Sequence, residues 1–85
     1  MIEHWFVYIA ECRDKKLYVG IAKDVSKRIN QHNKGLACRF TKFRYPVRLL
    51  YEEKCLDYQS ARMRELEIKG FNREKKLAII RSVEM

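Results

Sequence analysis

The chain has 85 residues, enough for one small domain over residues 1–85 and close to the size at which a single core becomes marginal. Hydrophobic residues make up 47% of it, which excludes wholesale disorder, and no apolar run is long enough to span a bilayer. Lysine and arginine number 19 against 11 acids, a net charge of +8 with a pI near 9.6, so the expected partner is a polyanion rather than a membrane core.

Trp5 to Ala10 is aromatic and β-branched and reads as a strand. Arg13 to Lys16 is a polar turn, and Leu17 to Gly20 is a second strand that closes a hairpin. Val7, Ile9, Leu17 and Val19 are expected to face the core, sending Tyr8 and Tyr18 to the other side. The two tyrosines share that side only if the hairpin loop holds an odd number of residues, and an odd loop is expected. Asp24 caps a helix running to about Asn33, with Gly35 as its stop. Residues 36–46, containing Pro46, are irregular, and Val47 to Tyr51 is a third strand. Asp57 caps a second helix that ends near Lys69, with Gly70 at C′. Asn72 caps a third, from Arg73 to about Val83, apolar at Leu77, Ile80 and Val83. The expected fold class is α+β: a small, three-stranded, mostly antiparallel sheet flanked by helices in the order ββαβαα.

Helical geometry rotates successive residues by about 100°, which places Val25, Arg28, Ile29 and His32 within one arc of roughly 100°. Arg28 and His32 are i, i+4 neighbours that can act on one ligand. Alternatively, Arg28 snorkels at the core edge and His32 is a packed, hydrogen-bonded imidazole. In the second helix Tyr58, Ala61, Glu65 and Ile68 form a core stripe with a carboxylate in its middle, whereas Glu67 falls about 160° away and is solvated. A buried Glu65 needs a cation, a hydrogen-bonding partner or protonation. It is either a working carboxylate or half of an internal ion pair with Arg28 or a nearby lysine.

Between residues 34 and 48 stand Lys34, Arg39, Lys42, Arg44 and Arg48 without an acid, interleaved with Phe40, Phe43 and Tyr45. Cations beside rings suit a nucleic-acid groove. The rings themselves are expected to pack inward under the loop while the charges bind. Cys12, Cys38 and Cys55 are odd in number, and no C-x-x-C pair occurs. They read as reduced, mostly buried thiols of a cytoplasmic protein, with no thiolate zinc site expected. The first residues lack a signal-peptide layout.

At these residues the chain resembles the GIY-YIG nuclease family, in its small standalone bacterial branch. Val-Tyr-Ile at 7–9 stands for the first signature and Tyr18-Val19-Gly20 for the second. Arg28 matches the family's arginine, His32 the position carrying Tyr or His, and Glu65 the metal-binding glutamate four residues after Ala61. Arg-Glu-Leu-Glu-Ile-Lys followed by Arg-Glu-Lys-Lys-Leu is similar to that branch, and the likeness runs from about Phe6 to Ile80. The first signature lacks its leading glycine. Ile21 stands where several members have lysine, leaving Lys23 to substitute, and Leu77 stands where some have asparagine.

The resemblance implies a metal-dependent endonuclease or nickase acting on DNA with one Mg²⁺ or Mn²⁺, in DNA repair or recombination. Glu65 would hold the metal, and Arg28 would grip the scissile phosphate. Tyr8 would position or deprotonate water, Tyr18 would order the network and His32 would share the role of base. Arg28 and the metal are expected to lower the Tyr8 pKa. Lys23, Lys34, Arg39, Lys42, Arg44 and Arg48 would contact nucleic acid, with a monomer as the default. Two other readings compete: a nucleic-acid-binding module with little turnover, and an interaction domain for an acidic protein.

Overall fold

The structure, a computed structural model, describes residues 4–82. Six elements follow in the order β1 (Trp5–Glu11), β2 (Leu17–Ala22), α1 (Val25–Asn33), β3 (Arg48–Cys55), α2 (Tyr58–Lys69) and α3 (Arg73–Ser82). The sheet order is β2-β1-β3. Both pairings are antiparallel, so the sheet is antiparallel throughout. Among the described residues no helix is long and apolar enough to cross a membrane.

β1 lies in the centre and is covered on both faces: Val7, Tyr8, Ile9 and Ala10 are all buried. That explains why its sequence is a continuous apolar run rather than an alternating one. On one face Val7, Ile9 and Val19 pack with Ala61 and Ile68 of α2 and Ile80 of α3. On the other, Tyr8, Ala10 and Ala22 pack with Val25 of α1 and with Val47. Each fully buried aliphatic side chain contributes about 2 kcal/mol.

The β1–β2 register pairs Tyr8 with Gly20 and Ala10 with Tyr18. The loop is residues 12–16, an odd number, so residues of equal parity share a face. Tyr8 and Tyr18 therefore lie side by side, with ring centroids 6.2 Å apart.

The helix starts follow the caps. Asp24 accepts from the Lys27 amide at 3.0 Å, Asp57 from Ser60 at 2.8 Å and Asn72 from Lys75 at 2.8 Å. Gly35 leaves α1 with a φ of 73°, a left-handed turn that glycine makes without strain.

Several boundaries differ from expectation. Gly70 stays right-handed with φ −77° and is the C-cap of α2 rather than a left-handed C′ residue. β3 runs on to Cys55, because Glu52, Glu53 and Lys54 extend an edge strand without any apolar alternation to reveal it. Val47 precedes the strand and is held by Asn33, whose side chain accepts from the Val47 amide at 2.6 Å and donates to its carbonyl at 3.2 Å. Tyr58 is 52% exposed rather than part of the core stripe. The first turn of α2 overhangs the end of the sheet, and the Tyr58 ring meets Trp5 edge-on at 4.9 Å. Val83 lies outside the described residues.

Candidate active site

Gly20 is the reason two phenols fit beside β2. A Cβ there would stand 2.6 Å from Tyr8 Oη and 2.9 Å from Tyr18 Cε2, so the missing side chain is the space the rings occupy. Tyr8 Oη lies 2.8 Å from His32 Nε2, and His32 Nδ1 lies 2.7 Å from Thr41 Oγ1. Thr41 Oγ1 is also 3.4 Å from Cys38 Sγ. Tyr8, His32 and Thr41 are all buried, which makes this an internal polar chain with each member partnered. The Tyr18 ring covers the imidazole at 5.1 Å and touches Phe40 at 5.8 Å.

The electrostatics of this chain are set mainly by burial. Burial holds both phenols well above their ordinary range, and each also lies close to a second acidic group. Arg28 pulls both phenols downward but is outweighed, so the expected lowering of the Tyr8 pKa by Arg28 is overcome by desolvation. Burial, then Arg28, lowers the His32 pKa to about 4, so the ring is neutral at physiological pH. For Cys38, burial raises the thiol pKa, but hydrogen bonds from Thr41, Tyr18 and the backbone outweigh it and leave a net lowering.

Arg28 thus acts electrostatically on Tyr8, Tyr18 and His32, and Glu65 acts on both tyrosines. Glu65 is 5% exposed, in the stripe between Ala61 and Ile68 as expected, and Glu67 is exposed. Its direct partners are on its own helix: Arg62 Nη1 at 2.5 Å from Oε1 and Lys69 Nζ at 3.2 Å from Oε2. Arg28 is not the ion-pair partner. Both partners are about half exposed, so two mobile cations rather than packed core separate the carboxylate from solvent.

Among the described residues no group of three or more His, Cys, Asp or Glu side chains is placed to hold a metal. A single hard carboxylate remains compatible with Mg²⁺ or Mn²⁺, because magnesium keeps several waters and takes its other oxygens from substrate phosphate. The donor set therefore fits one ion at Glu65, in competition with Lys69 and Arg62.

The basic segment divides in two. Arg44 pairs with Asp14 at 3.0 Å, donates to the Phe40 carbonyl at 2.6 Å and lies 4.5 Å over the Phe40 ring. Arg48 pairs with Glu11 at 3.1 Å. Arg44 staples the loop to the β1–β2 hairpin, whereas Arg48 makes a cross-strand pair at the start of β3 and remains 73% exposed. Lys34, Arg39 and Lys42 are exposed, and Lys23 lies 5.4 Å over Trp5. The rings do not close the core under the loop: Phe43 is 77% exposed, and Phe40 and Tyr45 are partly so. Of the thiols only Cys12 is buried; Cys38 and Cys55 are half-buried. Thr41 is the site-building residue that sequence reasoning missed, along with the steric role of Gly20, quoted there only as part of the second strand and the second signature. Thr41 sits in a segment without periodicity, whereas Gly20, opposite Tyr8 in the hairpin, carried a readable signal.

A hairpin presenting paired tyrosines, an Arg–His helix and a buried glutamate on the next helix define the class. Residues 4–78 match the GIY-YIG catalytic domain, and the chain belongs to that family of nucleases. It is 48% identical over 75 residues to a UPF0213 protein of Staphylococcus saprophyticus, covering 88% of this chain and 92% of that one. A UPF0213 protein of Staphylococcus aureus is 47% identical over 76 residues, 89% and 93% of the respective chains. The solution NMR structure of a UPF0213 protein from Bacillus halodurans superposes with a TM-score of 0.58 at 34% identity, covering 91% of this chain and 82% of that one.

Proposed function

We propose that this chain is a metal-dependent endonuclease that hydrolyses DNA phosphodiester bonds, with Mg²⁺ or Mn²⁺ at Glu65 and a role in DNA repair or recombination. The observation that supports it best is the buried Tyr8–His32–Thr41 chain lying within the field of Arg28. A bound divalent ion would supply Lewis-acid stabilisation of charge on the phosphoryl oxygens.

Arg28 grips the scissile phosphate and offsets the charge that builds on its oxygens during attack by water. Tyr8 cannot serve as a free phenolate, since burial keeps its proton on. Instead the Tyr8 hydroxyl donates to His32 Nε2 and accepts from the attacking water, so the proton taken from water appears on the imidazole. In that tautomer His32 Nδ1–H donates to Thr41. Arg28 opposes a second positive charge on His32, and an arriving phosphate anion screens Arg28 and restores basicity to the ring. Substrate binding thereby arms its own base.

Purified protein should nick or cut DNA with Mg²⁺ or Mn²⁺, whereas folded Arg28→Ala and Glu65→Ala proteins should be inactive. Equal cleavage by all three preparations would refute the assignment. The hold of Arg62 and Lys69 on Glu65 favours one second reading, a DNA-binding module with little turnover. Salt-sensitive binding without cleavage on any DNA form supports that reading instead.

A further inference from the structure

A hollow of about 430 Å³ lies beside Arg28, lined by Trp5, Ala22, Lys23, Asp24, Lys27, Arg28 and Gln31. We infer that it is a nucleotide subsite which takes an unpaired base next to the scissile phosphate, so that the substrate is DNA with a single-stranded or frayed nucleotide at the cut. This inference rests on the nuclease reading and deepens it.

The walls divide by chemistry. Lys23, Lys27 and Arg28 bring three cations to one rim, where backbone phosphates are matched in charge. Asp24 also lines the hollow, but its carboxylate is committed to the Lys27 amide as the N-cap of α1. Gln31, one turn beyond Lys27, presents an amide that can both donate and accept, as a base edge requires. Trp5 supplies a half-buried ring oriented by edge contact with Tyr58, and Lys23 lies 5.4 Å over that ring. A ring face that holds a cation is also one on which a base can stack.

Volume and access decide the ligand. The hollow is in the range of small-molecule sites and has room for one nucleotide, not for a base pair. Inside a duplex both faces of a base are covered by its neighbours, so a base meets Trp5 only when it has left the stack. Arg28 belongs both to this hollow and to the surroundings of His32, so a phosphate held at Arg28 has its neighbouring nucleoside beside the hollow that Trp5 lines.

Trp5 is the single tryptophan of the chain, which makes its emission a direct reporter. In metal-free, low-salt buffer, a single-stranded oligodeoxynucleotide should quench Trp5 emission. A blunt duplex of the same sequence should bind, by anisotropy of a labelled strand, with little quenching. Trp5→Leu should weaken single-strand binding roughly tenfold, and Trp5→Phe should retain most of it. Lys27→Ala, on the exposed surface of α1, should lower the salt slope of single-strand binding by about 0.7 and stays informative should Trp5→Leu not fold. A complex seen by anisotropy with unchanged Trp5 emission, or equal quenching by duplex and single strand, overturns the subsite and leaves the nuclease reading intact. Absence of any complex at low salt overturns the nuclease reading itself.

Discussion

His32 couples the site to pH. Its folded pKa of about 4 lies below the ordinary 6.5 because burial, reinforced by Arg28, disfavours the imidazolium. Between those values the unfolded chain binds more protons than the folded one. The stability His32 contributes is therefore complete above pH 6.5 and is lost as pH falls toward 4, by roughly 3 kcal/mol at most. Urea midpoints measured across this interval should fall with pH, and His32→Asn should flatten the dependence. Gly20 gives a second test at this scale. An alanine Cβ would stand 2.6 Å from Tyr8 Oη, and Tyr8 is buried and bonded to His32, so it has nowhere to retreat. Gly20→Ala should cost about 1–3 kcal/mol in denaturant unfolding and disturb the His32 ring signals in NMR spectra. An unchanged His32 spectrum would mean that the phenol moves freely.

Among the elements, α2 sets the hold on any metal through its own spacing. Arg62 and Lys69 lie three residues before and four after Glu65, the two offsets at which helical side chains meet. Lys69 is the nearby lysine that the sequence offered as an alternative to Arg28, whereas Arg62, one turn before Glu65, was not singled out. Lys69→Ala should tighten Mn²⁺ binding several-fold by calorimetry, because the ion then displaces one cation instead of two. Weaker binding would show that Lys69 orients the carboxylate instead of competing for it. The caps Asp24, Asp57 and Asn72 made all three helix starts legible. The far half of β3 was not legible, since Glu52 to Lys54 are charged residues along an edge, where backbone pairing needs no apolar alternation. Thr41 was invisible for a related reason: its role comes from where residues 36–46 fold back, and no local periodicity encodes that.

Across the whole molecule the charge of +8 is unevenly available. Arg44 is tied to Asp14 and one third exposed, while Lys34, Arg39 and Lys42 face solvent and Arg48 does so beside Glu11. Duplex binding should show a log–log salt slope of at least about −3, counting roughly 0.9 per phosphate. Arg39→Ala and Lys42→Ala should each reduce it by about that unit, whereas Arg44→Ala, whose guanidinium is tied to Asp14 and the Phe40 carbonyl, should leave it nearly unchanged. The reverse pattern would mean that the staple opens when DNA arrives. The sheet and the helix order were visible in the sequence because each depends on local pattern. Which arginines carry an acidic partner was not, because Asp14 and Glu11 are distant from them in sequence.

The five-residue connection between β1 and β2, residues 12–16, carries a further constraint on how this chain can change. Strand side chains alternate with a period of two, so a slip of β2 by one residue against β1 would act like a frameshift written in space. Tyr18 would turn toward α2, and Leu17 and Val19 would be thrust at His32. Length variation in natural or engineered relatives is thus tolerated at this hairpin where the tip absorbs it and the Glu11–Leu17 pairing is kept.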